Sequence, residues 1–185
     1  MKYFIKTYGC QMNKAESEKV AAGLEKKGYR PAEKIEDADL VVINTCSVRQ
    51  SAEDRVLGLI RNIRNLTGVA PVRELPLKKR KIILTGCMLY HSRKWLKRKL
   101  AGVDQFTSIK ELTKNLEPKR TEKLHAWMPI MKGCNQFCTY CVVPYSRGRE
   151  KSRPFKEVVC EVEKLAKKGY RHITLLGQNV NSYKP

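Results

Sequence analysis

Cys134, Cys138 and Cys141 form a Cys-x3-Cys-x2-Cys run just after a short segment of strand character, residues 128–132. Three thiolates this close in one loop can grip a common metal centre. A structural zinc site needs a closed set of four ligands, and the neighbourhood supplies no fourth. His125 precedes the strand, and Cys160 lies within the helix that follows. A 4Fe–4S cubane held by three cysteines instead leaves one iron open to a substrate or cofactor, and thiolates are the ordinary ligands of such clusters. A zinc loop that borrows a distant ligand, and three structural cysteines, are the competing readings.

A second trio is scattered in sequence but regular in placement. Cys10, Cys46 and Cys87 occur in Tyr8-Gly-Cys10, Asn44-Thr-Cys46 and Thr85-Gly-Cys87, each just after a predicted strand. Parallel strands deliver their carboxyl ends to one edge of a sheet, where open α/β folds bind ligands. Gly9 and Gly86 let the backbone turn tightly before a bulky ligand. From the residues alone, a second three-cysteine metal site and three buried free thiols fit equally well, because cysteine is among the most buried residue types. Cys160, inside an apolar-striped helix, has no such company and reads as structural.

Strand and helix signals alternate along the part of the chain that must position these thiols. Strands are predicted at 2–8, 40–44 and 81–85, the second a continuous apolar run of the kind found in buried parallel strands. Asn13 can cap a first helix with Glu16 as its reciprocal partner; Val20, Ala21 and Leu24 form its stripe and Gly28 its stop. A second helix over 47–65 carries Val56, Leu59, Ile60 and Ile63 on one face, and a basic third helix spans 91–100. This rhythm predicts a doubly wound α/β domain over 1–117. Residues 118–126, with Pro118 among charged side chains, read as a linker. From 127 a strand, the cysteine loop, a helix opening at Pro154 with a Phe155, Val158, Val159, Val162, Leu165 stripe, and a strand over 171–176 make one β-α-β unit. One unit cannot close a barrel, so this domain reads as truncated at 185.

Composition narrows the partners. Thirty-eight basic against 18 acidic residues give a net charge of +20, a field that favours polyanions, nucleic acid first and an anionic membrane surface second. Residues 76–100 hold Lys78, Lys79, Arg80, Lys81, Arg93, Lys94, Lys97, Arg98 and Lys99 and no acidic residue; a solvated helix face is the plainer explanation. A hydrophobic content of 42% argues against wholesale disorder. No apolar run is long enough to cross a bilayer, and the N-terminus lacks the pattern of a signal peptide. A cytoplasmic location follows, and there seven cysteines serve metal binding, redox chemistry or burial rather than disulfides.

Three motifs carry a resemblance that covers essentially the whole chain. The run from Met131 to Arg153 (MKGCNQFCTYCVVPYSRGREKSR) resembles the cluster loop of MiaB-type tRNA methylthiotransferases, within the radical S-adenosylmethionine (SAM) superfamily. Leu175-Leu-Gly-Gln-Asn-Val-Asn-Ser-Tyr183 is similar to the end of the second barrel strand in that family, and Thr7-Tyr-Gly-Cys-Gln-Met-Asn13 to its N-terminal motif. Ala15-Glu16-Ser17-Glu18 departs from the acidic pattern usual just after it. The resemblance implies that residues 127–185 begin a radical SAM (β/α) partial barrel. It implies two 4Fe–4S clusters: a SAM-cleaving one on Cys134, Cys138 and Cys141, and a second on Cys10, Cys46 and Cys87. Tyr140 would flank the SAM adenine, and Gly177 and Gln178 would contact its methionine end, although their loop could equally be a plain turn.

The implied reaction adds a methylthio group to C2 of N6-isopentenyladenosine beside the tRNA anticodon. Reductive SAM cleavage would yield a 5′-deoxyadenosyl radical to abstract hydrogen; the second cluster would supply sulfur and another SAM the methyl group. The partners implied are the tRNA anticodon stem-loop, met as unpaired bases, SAM and a reductant protein, with the enzyme a monomer and no membrane involved. Arg147, Arg149, Lys151 and Arg153 could neutralise phosphates or serve local caps and salt bridges. Trp95 and Trp127 could stack on bases, with core packing the stronger expectation. The rival targets are threonylcarbamoyl-adenosine in tRNA and an aspartate of a ribosomal protein; outside this family, a non-enzymatic RNA-binding zinc protein competes. The family's usual C-terminal RNA-binding module is missing, so 185 residues are expected to be a fragment insufficient for catalysis.

Overall fold

A computed structural model describes residues 1–64, 80–113 and 116–185. Lys78 and Lys79 of the basic segment, and Asn65 at the end of the predicted second helix, lie outside the described residues. The chain opens with β1 (Lys2–Thr7), α1 (Gln11–Lys26), β2 (Arg30–Pro31), β3 (Leu40–Thr45) and α2 (Gln50–Arg64). It continues through β4 (Lys81–Gly86), α3 (Arg93–Lys99), β5 (Gln105–Phe106) and α4 (Ile109–Thr113). The five strands form one parallel sheet in the order β2-β1-β3-β4-β5. This is the doubly wound architecture expected, with the reversal of strand order falling between β1 and β3.

Both faces of the sheet are covered. Along β3, Val41 and Ile43 join Val56 and Ile60 of α2 and Leu96 of α3 in one core, while Leu40 and Val42 join Val20 and Leu24 of α1 and Leu112 of α4 in the other. Alternate side chains of a strand point to opposite faces, so a strand buried on both sides is apolar except where its polar groups find hydrogen-bond partners. Every residue of β3 is buried accordingly. The edge strands β2 and β5 have two residues each, too few to leave a periodic signal, and the sequence does not predict them.

The first helix begins differently from expectation. Cys10, not Asn13, occupies its N-cap, and Asn13 lies at the third helical position. The Asn13 side chain turns inward and is fully buried. In α3 the cap is Ser92, whose hydroxyl accepts from the Trp95 N–H at 3.3 Å.

The remainder comprises β6 (His125–Pro129), β7 (Met131–Lys132), α5 (Val143–Arg147), β8 (Lys151–Ser152), α6 (Phe155–Lys167) and β9 (His172–Leu176). β6 and β9 pair in parallel with α6 as their crossover, the predicted β-α-β unit. The single predicted strand over 128–132 is two strands, broken at Ile130. β7 pairs antiparallel with β8 through Met131↔Ser152 and Lys132↔Lys151, which clips the cysteine loop shut at its base. On α6, Val158 and Leu165 are buried, whereas Phe155 and Val159 are exposed, so the apolar stripe is narrower than its sequence suggests. Cys160 is exposed and not a core residue.

Residues 116–126 are held down rather than free. The buried Glu18 carboxylate of α1 accepts from the Thr121 N–H and hydroxyl, both at 3.0 Å, and from Arg120 at 3.1 Å. Arg120 also reaches Glu161 of α6 at 3.1 Å and the Trp127 carbonyl. Strand β6 begins at His125, two residues inside the segment read as a linker. Among the described residues no helix is long and apolar enough to cross a membrane.

Candidate metal centres

The register of the large sheet explains why three distant cysteines share one edge. Thr7 of β1 stands opposite Asn44 of β3, which stands opposite Thr85 of β4. Cys10, Cys46 and Cys87 follow that row by three, two and two residues. Gly86 turns the chain with φ of 92° and ψ of −155°, a conformation open essentially to glycine alone. A Cβ there would collide with the Thr45 carbonyl oxygen.

A hydrogen-bonded net of polar side chains underlies this edge. The Asn13 amide oxygen accepts from the Cys10 N–H at 3.2 Å. Its amide nitrogen donates to Asn44 Oδ1 at 3.1 Å and to the Thr45 carbonyl at 3.0 Å. Asn44 donates in return to the Asn13 carbonyl at 2.9 Å and to Ser17 Oγ at 3.0 Å. Thr45 Oγ1 donates to the Thr85 carbonyl at 2.6 Å and accepts from the Met88 N–H at 3.2 Å. Together these bonds tie the start of α1 to β3, and β3 to β4 and the turn that follows it. The sequence offers Asn13 only as a helix cap and does not single out Asn44. An asparagine inside the apolar run of β3 is nonetheless a signal, because buried polar groups are hydrogen-bonded.

Cys46 and Cys87 are buried and hydrogen-bonded to each other, while Cys10 is exposed. Donation from Cys87 is the main influence on the Cys46 thiol, followed by burial and by the Val48 and Arg49 N–H groups; the result is a pKa lowered to about 6. Cys87, which gives up that hydrogen bond and is itself buried, is pushed up. Two buried sulfur donors at one sheet edge suit a soft, positively charged centre.

The other trio lies in the loop clipped by β7 and β8. Cys134 is buried, Cys141 half-buried and Cys138 exposed. The Cys134 N–H donates to the Gly148 carbonyl at 3.2 Å, and the Cys141 N–H to the Cys138 carbonyl at 3.0 Å. Gly133 has φ of 74°, and a Cβ on it would strike the Arg149 carbonyl oxygen. Phe137, at φ of 48°, is the single non-glycine residue with positive φ among the described residues. Such a backbone persists only where its surroundings over-determine it, here between the first two cysteines of the run.

Among the described residues no three His, Cys, Asp or Glu side chains converge on one point as the ligands of a single ion must. A cubane binds each thiolate through a different iron, so its ligands need not meet. Three soft donors in a shaped loop therefore fit an iron–sulfur cluster with an open iron better than a closed zinc site. Tyr140, between the second and third cysteines, is 90% exposed. Gly177 and Gln178 directly follow β9 and are partly buried. A Cβ on Gly177 would press on the Met131 side chain.

Of the four basic residues beyond the loop, Arg147 and Arg153 are engaged internally. Arg147 grips Glu16 of α1 at 2.6 and 3.2 Å, and Arg153 binds Glu161 at 2.7 Å and the Pro129 carbonyl at 2.9 Å. Arg149 lies over the Phe137 ring, 4.2 Å from its centroid, and Lys151 is exposed. Trp95 stacks on His91 at 3.8 Å beside the α2–α3 core. Trp127 meets His125 edge-on at 4.1 Å. Both rings are partly buried, and neither is a free platform for a base.

Two known families divide the chain along the same line as the two cysteine trios. Residues 2–108 match the model of uncharacterized protein family UPF0004, and residues 128–185 match the radical SAM superfamily. The chain belongs to the UPF0004 family. The expected kinship with MiaB-type methylthiotransferases is borne out by relatives named tRNA-2-methylthio-N(6)-dimethylallyladenosine synthase. That of Dictyoglomus thermophilum is 44% identical over 98% of this chain and 46% of its own length. Those of Thermoanaerobacter sp. (strain X514) and Thermotoga petrophila are each 43% identical, over 98% and 99% of this chain and 43% and 45% of their own lengths. The chain thus spans less than half the length of these relatives. Radical SAM proteins as a superfamily work with SAM and an iron–sulfur cluster, which agrees with the donors of the loop.

Proposed function

We propose that this chain serves a radical SAM methylthiotransferase that modifies C2 of N6-isopentenyladenosine next to the tRNA anticodon. The observation that carries the reading is the pairing of two cysteine trios, one in a clipped loop and one at a sheet edge, within a single strongly basic chain. On this reading residues 1–117 form the domain of the second cluster, 118–126 a connection, and 127–185 the start of the radical SAM domain. Cys134, Cys138 and Cys141 would hold the SAM-cleaving cluster, and Cys10, Cys46 and Cys87 a second 4Fe–4S cluster. When bound, the first cluster with SAM supplies hydrogen-atom abstraction and the second supplies sulfur, steps beyond acid–base side chains.

The chain's own residues prepare the ground for that chemistry. The β7–β8 clip fixes both ends of the loop, so the three thiols are presented as a group. The Tyr140 ring projects from it and is free to lie against the SAM adenine. Gly177 and Gln178 follow the carboxyl end of β9, parallel to β6, and are suited to bind the methionine end through backbone and amide groups. Exposed Arg93, Lys94, Lys97, Arg98 and Lys99 on α3 would neutralise phosphates of the anticodon stem-loop without choosing the base. The enzyme would work as a cytoplasmic monomer supplied with electrons by a reductant protein. Nucleoside mass analysis of tRNA from a deficient strain complemented with the complete gene tests the proposal. Methylthiolated isopentenyladenosine is expected; methylthiolated threonylcarbamoyl-adenosine, a modified ribosomal aspartate, or stoichiometric zinc without iron in the purified protein would each overturn it.

A further inference from the structure

Arg147 closes the helix α5 that follows the cysteine loop, yet its partner is Glu16, 131 residues earlier on α1. The two make a two-point ion pair, and the Arg147 side chain is only 9% exposed. α5 packs on the 3₁₀ turn of Cys87–Tyr90. Arg147, Glu16, Lys132, Ser146, Gly86 and Cys87 line a cleft of about 280 Å³ between the two halves of the chain. The guanidinium therefore stands at the seam between the helix that follows the cysteine loop and the Cys87 end of the sheet edge.

Buried ion pairs return little net stability, because desolvation offsets their attraction. What the pair does supply is a fixed charge at a fixed place. Burial works against the Arg147 charge, but the Glu16 carboxylate hydrogen-bonded to it outweighs that cost and raises its pKa. Arg147 and Glu16 both line the cleft at Cys87, so each sets a charge of opposite sign beside the sheet edge. Removing either charge alone would therefore be felt at the sheet edge through a poorly solvated medium, where such effects are strong.

We infer that Arg147, pinned by Glu16, is a positioning residue that ties the cysteine loop to the Cys46–Cys87 edge and favours the reduced form of a cluster held there. The inference rests on the reading of Cys10, Cys46 and Cys87 as cluster ligands. Reduction adds one electron to the cluster, and a neighbouring cation stabilises the added negative charge. Removing Arg147 must disfavour reduction, whereas removing the Glu16 charge must favour it.

The test is an EPR-monitored redox titration of the complete protein, reconstituted anaerobically, with Cys134→Ala, Cys138→Ala and Cys141→Ala combined so that one cluster reports. In that background Arg147→Met is expected to weaken electron uptake about tenfold, a fall of about 59 mV for a one-electron couple. Glu16→Gln is expected to move the potential the opposite way, and Arg147→Lys to leave it near its starting value. Potentials that do not move, or that move in the same direction for Arg147→Met and Glu16→Gln, would overturn the inference while leaving the cluster assignment intact. A background protein that binds no iron would bring down the assignment and the inference together. Should Arg147→Met release iron, Glu16→Gln and Arg147→Lys decide, with an unmoved Glu16→Gln potential counting against the inference.

Discussion

Replacing Asn13 by alanine would cut four hydrogen bonds at once, one of them accepted from the Cys10 thiol at 3.4 Å, and the structure gives each an address. The Cys10 N–H, Asn44 Oδ1 and the Thr45 carbonyl lose partners at 3.2, 3.1 and 3.0 Å, inside an edge where Asn13, Asn44 and Thr45 are all fully buried. With a net contribution of about 0.5–1.5 kcal/mol per bond, and buried groups left unpaired, the loss of stability should be about 2–4 kcal/mol. Asn13→Asp should be no better. Its carboxylate can still accept from the Cys10 N–H but offers no donor to two oxygens it then faces. Urea denaturation of the metal-free protein measures the stability loss. Iron analysis after anaerobic reconstitution should show iron lost from the sheet-edge trio and kept in the loop. A loss below about 1 kcal/mol in both variants, with full iron retained, would refute the claim that this net holds the cysteine edge.

Gly86→Ala should cost about 1–3 kcal/mol from its backbone conformation alone, with more from the collision with Thr45, read as a lowered urea midpoint and weakened iron binding at the sheet edge. Glu18→Ala strips the acceptor from Arg120 and Thr121 in a buried network and should destabilise by about 3–5 kcal/mol; limited proteolysis should then cut within 116–124 sooner. On the exposed face of α3, Lys94→Ala, Lys97→Ala and Lys99→Ala together should flatten the salt dependence of anticodon stem-loop binding by roughly 0.7–0.9 for each phosphate no longer neutralised. An unchanged slope in filter binding would remove α3 from the RNA surface.

The parts of the fold written in local pattern were legible. The run 40–43 is apolar because both faces of the sheet are covered, and the same demand makes β4 readable; from those strands the shared edge of Cys10, Cys46 and Cys87 follows. What depends on tertiary pairing was not. The clip between Met131–Lys132 and Lys151–Ser152 joins pairs of residues too short to carry a period. Asn13 was expected to cap α1 from outside, yet its amide does more inside, where it bonds to β3 across 31 residues of sequence. The supposed linker is anchored because Glu18 waits on α1 for Arg120 and Thr121, a complementarity visible only once the halves meet. Arg147 posed the same difficulty: the sequence could offer it to phosphate or to a carboxylate, and Glu16 decides.

The central claim is that Cys134, Cys138 and Cys141 hold a cubane with one iron open to SAM, beside a second cluster on Cys10, Cys46 and Cys87. Iron counting joined to reductive SAM cleavage, on the complete protein with and without Cys134→Ser, Cys138→Ser and Cys141→Ser combined, tests it most directly. The account predicts about eight irons per chain, falling to about four with the loss of all SAM cleavage, since each cubane carries four irons. Undiminished iron and undiminished cleavage in the triple variant would contradict it.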